Sequence, residues 1–347
     1  MAALFQGMPS MQPLHTLLWE NLPMTTPWEP KRDMPDQTGR VAIVTGGNSG
    51  VGYYTTLELM RKGARVYMAS RDPERAAKAI AQLRDVKDDD GNLLKGEVKL
   101  LRCDLSDLES VRSAVDEFTQ QESQLHLVFA NAGIMFPPYD QKTAQGYEMQ
   151  FGTHVLGHHV LIRNLLPVLR KTAAIPGQPK GAIRVCLTSS AGHNMHQRKG
   201  FDKHDPEWAK PLGVIGIRLP EQYHQIFRYG HSKFCNILQS KKYDREFGND
   251  GIVFTSVNPG NMKTGLQRHM HGLGMTALFL SIQPILYPIQ KGCINQLYAT
   301  TAPENANLGG AYFGPWAKLS RPAFKAHDEG AQDNLYEWLE DHSKGFV

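Results

Sequence analysis

Val41-Ala-Ile-Val-Thr45-Gly46-Gly47-Asn48-Ser49-Gly50-Val51-Gly52 is a β-branched run that breaks into glycines. Val41 to Val44 reads as a strand, and the glycines as a turn opening a helix through about Lys62, the context that a dinucleotide-binding fingerprint requires. Gly46 allows the tight turn, Gly50 removes the side chain that would keep the backbone from a pyrophosphate, and Gly52 lets the helix pack closely on the sheet. Asn48, Ser49 and Val51 lie in the same turn, where the helix N-terminus offers free N–H groups and a favourable dipole to an anion. The bland alternative is a bare turn and helix cap.

Downstream, short apolar runs alternate with longer helical ones. Ala64 to Ala69, Val98 to Arg102, Leu127 to Ala130, Ala182 to Thr188 and Ile252 to Val257 read as strands. Glu74 to Leu83, Met149 to Arg170 and Tyr229 to Phe247 read as helices, and Asp85 to Gly91 as a charged loop. This is the pattern of βαβ units, so the expected fold is α/β, a Rossmann-type doubly wound parallel sheet with helices on both faces in a single domain. Residues 1–36, rich in Met, Pro and Leu, form an N-terminal extension that packs on the domain or stays loose. Residues 37–347 form the dinucleotide-binding domain, with a substrate-pocket insertion at about 194–224 and a lid at about 262–290.

Where an NAD enzyme of this architecture carries an acidic residue after the second strand, the chain reads Met68-Ala69-Ser70-Arg71. The small Ser70 leaves room for a 2′-phosphate and Arg71 can clamp it, so NADP(H) is the expected cofactor. Further along, Tyr229-Gly-His-Ser-Lys233 sets a phenol and an ammonium four residues apart, on one face of a helix. A lysine cation held close favours the phenolate and pulls a tyrosine pKa of about 10 toward working pH. That makes the phenol a candidate general acid.

The glycine turn, Asn131-Ala132-Gly133, Ser189-Ser190, the Tyr229/Lys233 pair and Asn258-Pro259-Gly260, in this order, resemble the short-chain dehydrogenase/reductase family. The resemblance runs from about Gly39 to Gly260, with a looser tail match at Gly309-Gly-Ala-Tyr-Phe-Gly-Pro-Trp316. Within the family the chain is similar to retinol-dehydrogenase-like, fungal-type reductases through Tyr229-Gly-His-Ser-Lys-Phe-Cys-Asn236 and Leu156-Gly-His158. The resemblance implies that Ser190 hydrogen-bonds the substrate oxygen, with Ser189 a near-neighbour left open, that Tyr229 supplies the proton, and that Lys233 lowers the phenol pKa and holds the ribose hydroxyls. It further implies that Asp104 and Leu105 meet the adenine, that Asn131, Ala132 and Gly133 line the ribose side, and that Thr264, in the segment Pro259-Gly260-Asn-Met262-Lys-Thr264, binds the nicotinamide carboxamide. Relatives carry an Asn where this chain has His154, in support of a proton relay to the lysine. The family contact runs through the backbone carbonyl, so His154 is expected to preserve it. The other departure is length: Tyr229 stands 39 positions after Ser190. The extra Met195 to Tyr223 segment is expected to shape the substrate pocket.

With 347 residues, 41% apolar and 21% charged, the chain can bury a full core, and its net charge of +4 is spread out rather than gathered into a nucleic-acid stripe. Its four cysteines stand far apart, which points to reduced thiols and a cytoplasmic compartment. Fourteen histidines show no metal-ligand spacing, so no metal is expected. The first 30 residues contain no Lys or Arg and no continuous apolar centre, so no secretory signal is expected. Leu273 to Ile289, interrupted by Gln283, Pro284 and Pro288, is too short to span a bilayer. It reads as a lid over an apolar site, with shallow peripheral membrane contact as the alternative. Met262, Leu266, Met270, Met275, Leu278 and Phe279 suit either a lid or plain core. The leading function is NADP(H)-dependent interconversion of a lipophilic aldehyde or ketone and its alcohol. The alternatives are reduction of a carbon–carbon double bond and a catalytically weak NADP(H)-binding regulatory protein. The substrate and the oligomeric state, a homo-oligomer included, stay open.

Overall fold

Alternation decides the architecture. In the first strand, β1 (Val41–Thr45), Val41 and Ile43 pack with one buried cluster while Ala42 and Val44 pack with a second. Leu127–Ala130 repeats the division, with Val128 and Ala130 on the first face and Leu127 and Phe129 on the other. A strand apolar on both faces must be covered on both, as in a parallel sheet between helix layers. The computed structural model describes residues 9–10, 28–197, 200–208, 213–214, 217–218, 221–263 and 286–347. Most of the expected lid and part of the expected insertion lie outside them.

After β1 the strands are β2 (Arg65–Ser70), β3 (Glu97–Arg102), β4 (Leu127–Ala130), β5 (Ile183–Thr188), β6 (Ile252–Val257), β7 (Tyr312–Gly314) and β8 (Lys318–Ser320). They form one sheet in the order β8-β7-β6-β5-β4-β1-β2-β3, parallel except for the terminal β7–β8 hairpin. The chain winds outward from β1 to β3 and then crosses to β4 on the other side. The β1/β4 junction is therefore the switch point of the sheet, where strand ends open a crevice.

The helices are α1 (Gly50–Arg61), α2 (Pro73–Arg84), α3 (Leu108–Gln121), α4 (Gly157–Ala173), α5 (Glu221–Phe247), α6 (Ile294–Thr301) and α7 (Glu329–His342). Residues of α3, α4, α5 and α7 pack on one face of the sheet, and those of α1, α2 and α6 on the other. Several elements extend the sequence reading. Helix α3 was not placed from sequence, although Leu108, Val111, Val115 and Phe118 have helical spacing and Asp107 caps it through the Glu109 N–H. Helix α5 starts two turns before Tyr229. The expected helix from Met149 is one α-turn, then a π-helical turn at Gly152–Leu156, then α4. The sequence reading also placed none of β7, β8, α6 and α7.

The end of the N-terminal extension belongs to this body. Trp28 and Met34 are buried, Trp28 meets Tyr298 edge to face at 5.5 Å, and Pro9–Ser10 pairs with His196–Gln197. No helix among the described residues is long and apolar enough to cross a membrane.

Candidate active site

Gly46 and Gly50 both take left-handed backbone, with φ of 66° and 62°. A Cβ on Gly52 would lie 2.4 Å from the Gly46 carbonyl oxygen, so only glycine lets α1 start this close to β1. Asp72, Asp107 and Asp328 accept N–H bonds at the starts of α2, α3 and α7, but Ser49 makes no such cap at α1. The first N–H groups of α1 are thus left for another acceptor. A Cβ on Gly50 would meet only the Ile289 side chain, at 3.6 Å, so the backbone is open to an anion. These features fit a dinucleotide pyrophosphate.

The turn opens into a cavity of about 890 Å³. Gly46, Asn48, Ser49, Gly50 and Val51 line one side, and Ser70, Arg71, Asp104 and Leu105 the end beyond β2 and β3. Asn131, Ala132, Gly133, Ser190, Tyr229, Lys233, Pro259, Gly260 and Met262 complete it toward β5 and β6. Gly52 packs behind the turn and Thr264 lies outside the described residues. The sequence reading missed Arg75 and Lys78, which stand beside Arg71 at the same end. Their signal was the spacing of 71, 75 and 78 at the start of a helix. Arg75 is partly neutralised by Asp72 at 3.1 Å.

The Thr45 hydroxyl ties the switch point together by accepting the N–H groups of Asn131 (2.9 Å) and Ala132 (2.8 Å), while the Asn131 amide donates to the Thr45 carbonyl (2.8 Å). On α5, Tyr229 and Lys233 face the cavity one turn apart. A Cβ on Gly230 would lie 2.5 Å from the Gly192 carbonyl oxygen, so glycine here lets α5 press against the Ala191–Asn194 turn that follows Ser190. The two serines separate by partner: Ser189 Oγ donates to the Lys233 carbonyl (2.7 Å), whereas Ser190 hydrogen-bonds the Tyr229 phenol.

Two expectations change. Lys233 was expected to lower the Tyr229 pKa, but burial raises it and only the bond with Ser190 pulls the other way. Lys233 itself is lowered to about 7 by burial and donates to the Thr188 carbonyl at 2.9 Å. His154 was expected to act through its carbonyl, which instead accepts from Asn236 Nδ2 (2.7 Å) and His158 Nδ1 (3.0 Å). Its ring is fully buried behind Gly133, where Nε2 accepts the Ile134 N–H (2.9 Å). Nδ1 therefore carries the proton and donates to Ser232 Oγ (2.8 Å), which donates to the Tyr229 carbonyl (2.7 Å). Burial, and then the nearby Lys233 charge, hold His154 well below the usual imidazole range. His158 completes the support by contacting Thr45 Oγ1 at 3.0 Å.

The family described as short chain dehydrogenase matches residues 40–199. A short-chain dehydrogenase/reductase of Armillaria gallica is 36% identical over 94% of this chain and 99% of its own. An uncharacterized oxidoreductase of Schizosaccharomyces pombe is 35% identical over 91% of this chain and 88% of its own. Among solved structures, a Mycobacterium paratuberculosis protein superposes with a TM-score of 0.62 at 25% identity, covering 92% of this chain and 98% of its own. The Pseudomonas aeruginosa RhlG/NADP complex superposes with a TM-score of 0.58 at 21% identity, covering 81% and 95%. With likeness running nearly the full length of both chains and the glycine turn, paired serines and Tyr–Lys helix meeting in one crevice, the chain belongs to the short-chain dehydrogenase/reductase family of oxidoreductases, which bind a nicotinamide cofactor.

Proposed function

We propose that the protein is an NADP(H)-dependent reductase that interconverts a lipophilic aldehyde or ketone and its alcohol. The observation that carries this is the meeting of Ser190, Tyr229 and Lys233 at the wall of the cavity that the Gly46–Gly50 turn opens. When bound, the nicotinamide supplies or takes a hydride. The residues do the rest. Ser190 Oγ donates to the carbonyl oxygen and fixes it beside Tyr229, whose raised pKa keeps the phenol protonated and ready to donate. Lys233 places a cation behind the phenol and supports the developing oxyanion. The apolar side chains of Met135, Phe136, Met195 and Ile226 around Tyr229 favour a lipophilic substrate.

NADP(H) is favoured because Ser70, Arg71, Arg75 and Lys78 converge where the ribose 2′-position lies in this fold. We place the protein in the cytoplasm, a reading supported by four buried, unpaired thiols. NADPH oxidation by pure protein against a panel of aldehydes, ketones and enones tests the reading. Turnover of saturated carbonyls is expected; turnover of enones alone would transfer it to double-bond reduction. Titration of both cofactors should show NADPH binding at least about tenfold tighter, ~1.4 kcal/mol. Equal affinities, or an Arg71→Ala protein with unchanged preference, would remove the cofactor assignment.

A further inference from the structure

Phe136 is a bulky non-glycine residue with φ of 54°, in the left-handed region that such side chains avoid. Strain of this kind persists only where surrounding structure imposes it, and it gathers at functional sites. Here the restraint is identifiable. Gln150, fully buried just before the π-turn, accepts the Phe136 N–H through Oε1 at 3.1 Å. Its Nε2 donates to the Gln225 carbonyl at 3.3 Å, and the Gln225 amide in turn donates to the Pro137 carbonyl. Two buried amides thus tie the strained turn to the first turns of α5.

The turn delivers its ring to the reacting centre. The Phe136 and Tyr229 rings meet edge to face with centroids 6.0 Å apart, and Phe136 lines the cavity with Met135, Met195 and Ile226. A carbonyl oxygen within hydrogen-bond reach of the Tyr229 hydroxyl therefore sets its own substituent beside the Phe136 ring. A ring and two thioethers are a surface that favours flat π-systems through stacking and sulfur–aromatic contact.

We propose that Phe136, held by Gln150 and Gln225, is a specificity-determining residue that selects carbonyls bearing a flat conjugated group over saturated, branched ones. This rests on the carbonyl-reductase reading above. A discriminating pair is an aryl methyl ketone and the cyclohexyl methyl ketone of the same size. The conjugated carbonyl is intrinsically the less electrophilic, so a preference for it comes from the site.

With the NADPH-bound full-length protein, kcat/KM is expected to favour the aryl ketone by at least about tenfold. Phe136→Asn keeps a residue that tolerates left-handed backbone and removes the ring; the preference should fall below about threefold while NADPH affinity stays within about threefold. Phe136→Gly gives the same readout should the Asn protein not fold. Phe136→Tyr should keep the preference. Gln150→Met, which leaves the ring and frees the turn, should raise KM for the aryl ketone more than it lowers kcat. A parent ratio near one, or a ratio preserved in Phe136→Asn, overturns the inference while leaving the carbonyl-reductase reading standing. A parent that reduces the carbonyl of neither ketone, nor that of any other aldehyde or ketone, overturns both.

Discussion

Tyr229 combines two conditions that pull against each other: burial raises its pKa, which keeps the proton on the phenol, while its bond to Ser190 lowers the pKa. Tyr229→Phe removes only the donor. Turnover should fall by at least about 100-fold, ~2.7 kcal/mol of barrier, with NADPH affinity unchanged; a rate close to the parent's would show that another group gives the proton. Lys233 sets the pH response. Its value is lowered to about 7, so the cation is present below that pH and is lost above it. The kcat/KM for reduction should be flat from about pH 6 to 7, where the fold holds, and decline above about pH 7. Lys233→Arg, which stays charged, should flatten the decline if any activity survives; a parent profile level to pH 9 would detach the lysine charge from the rate. Sequence could pair Tyr229 with Lys233 because helical spacing alone puts them on one face. It could not separate Ser189 from Ser190, since that difference lies in which hydroxyl the Lys233 carbonyl captures.

Two contacts between elements carry the site. Helix α1 can begin where it does because Gly52 has no Cβ, and the atoms in the way are Gly46 backbone at 2.4 Å and the Asn131 amide at 2.7 Å. Gly52→Ala should therefore weaken NADPH binding by more than about tenfold and lower the thermal midpoint; unchanged binding would mean that the turn relaxes freely. The second contact is the π-turn, whose His154 ring bridges the Ile134 N–H and Ser232. His154→Asn is too short to hold both ends, so stability should fall by roughly 1–3 kcal/mol through an unpaired buried group. Activity should stay within about tenfold, because the ring stands behind the cavity wall, and chelator treatment should leave the rate unchanged. That His154 stands where the family resemblance implies an Asn was visible in the sequence, but its role was not. The reading looked to the carbonyl, and the π-turn hands that carbonyl to Asn236 and His158. The first two turns of α5 were hidden in the same way: their polar residues, His224, Gln225 and Arg228, are buried against Trp208, Pro137 and Tyr139 rather than placed by any apolar period.

Across the molecule, what sequence disclosed was the periodic part: strands apolar on both faces and the motifs at their ends. What it did not disclose was how buried polar side chains are satisfied, and here that includes an unusual number of histidines. His126 and His196 are lowered to about 4, His158 and His231 to about 3, and His154 and His159 are lowered as well, in each case chiefly by burial. A depressed value means that the folded protein stays neutral at a pH where the unfolded chain, titrating near 6.5, takes up protons. Between about 6.5 and 4 the unfolded state binds more protons, so stability falls as pH falls, by up to about 1.4 kcal/mol per pH unit for each group. Glu340, lowered to about 2 beside His159 and Arg163, acts in the same direction nearer its own range, while Glu58, Glu148 and Asp244, each raised by burial, oppose it. Against a typical total of about 5–15 kcal/mol, the loss summed over these histidines is a large fraction of the stability, enough to bring acid unfolding into the range between about pH 4 and 6. The expected result is cooperative loss of far-ultraviolet circular dichroism with a midpoint between pH 4 and 6, and a thermal midpoint that drops steadily from pH 7 to 5. A thermal midpoint level across that interval would mean that these rings take up protons in the folded state, with water or rearranged partners at hand, and that the buried histidine layer is not the acid-sensitive part of the fold.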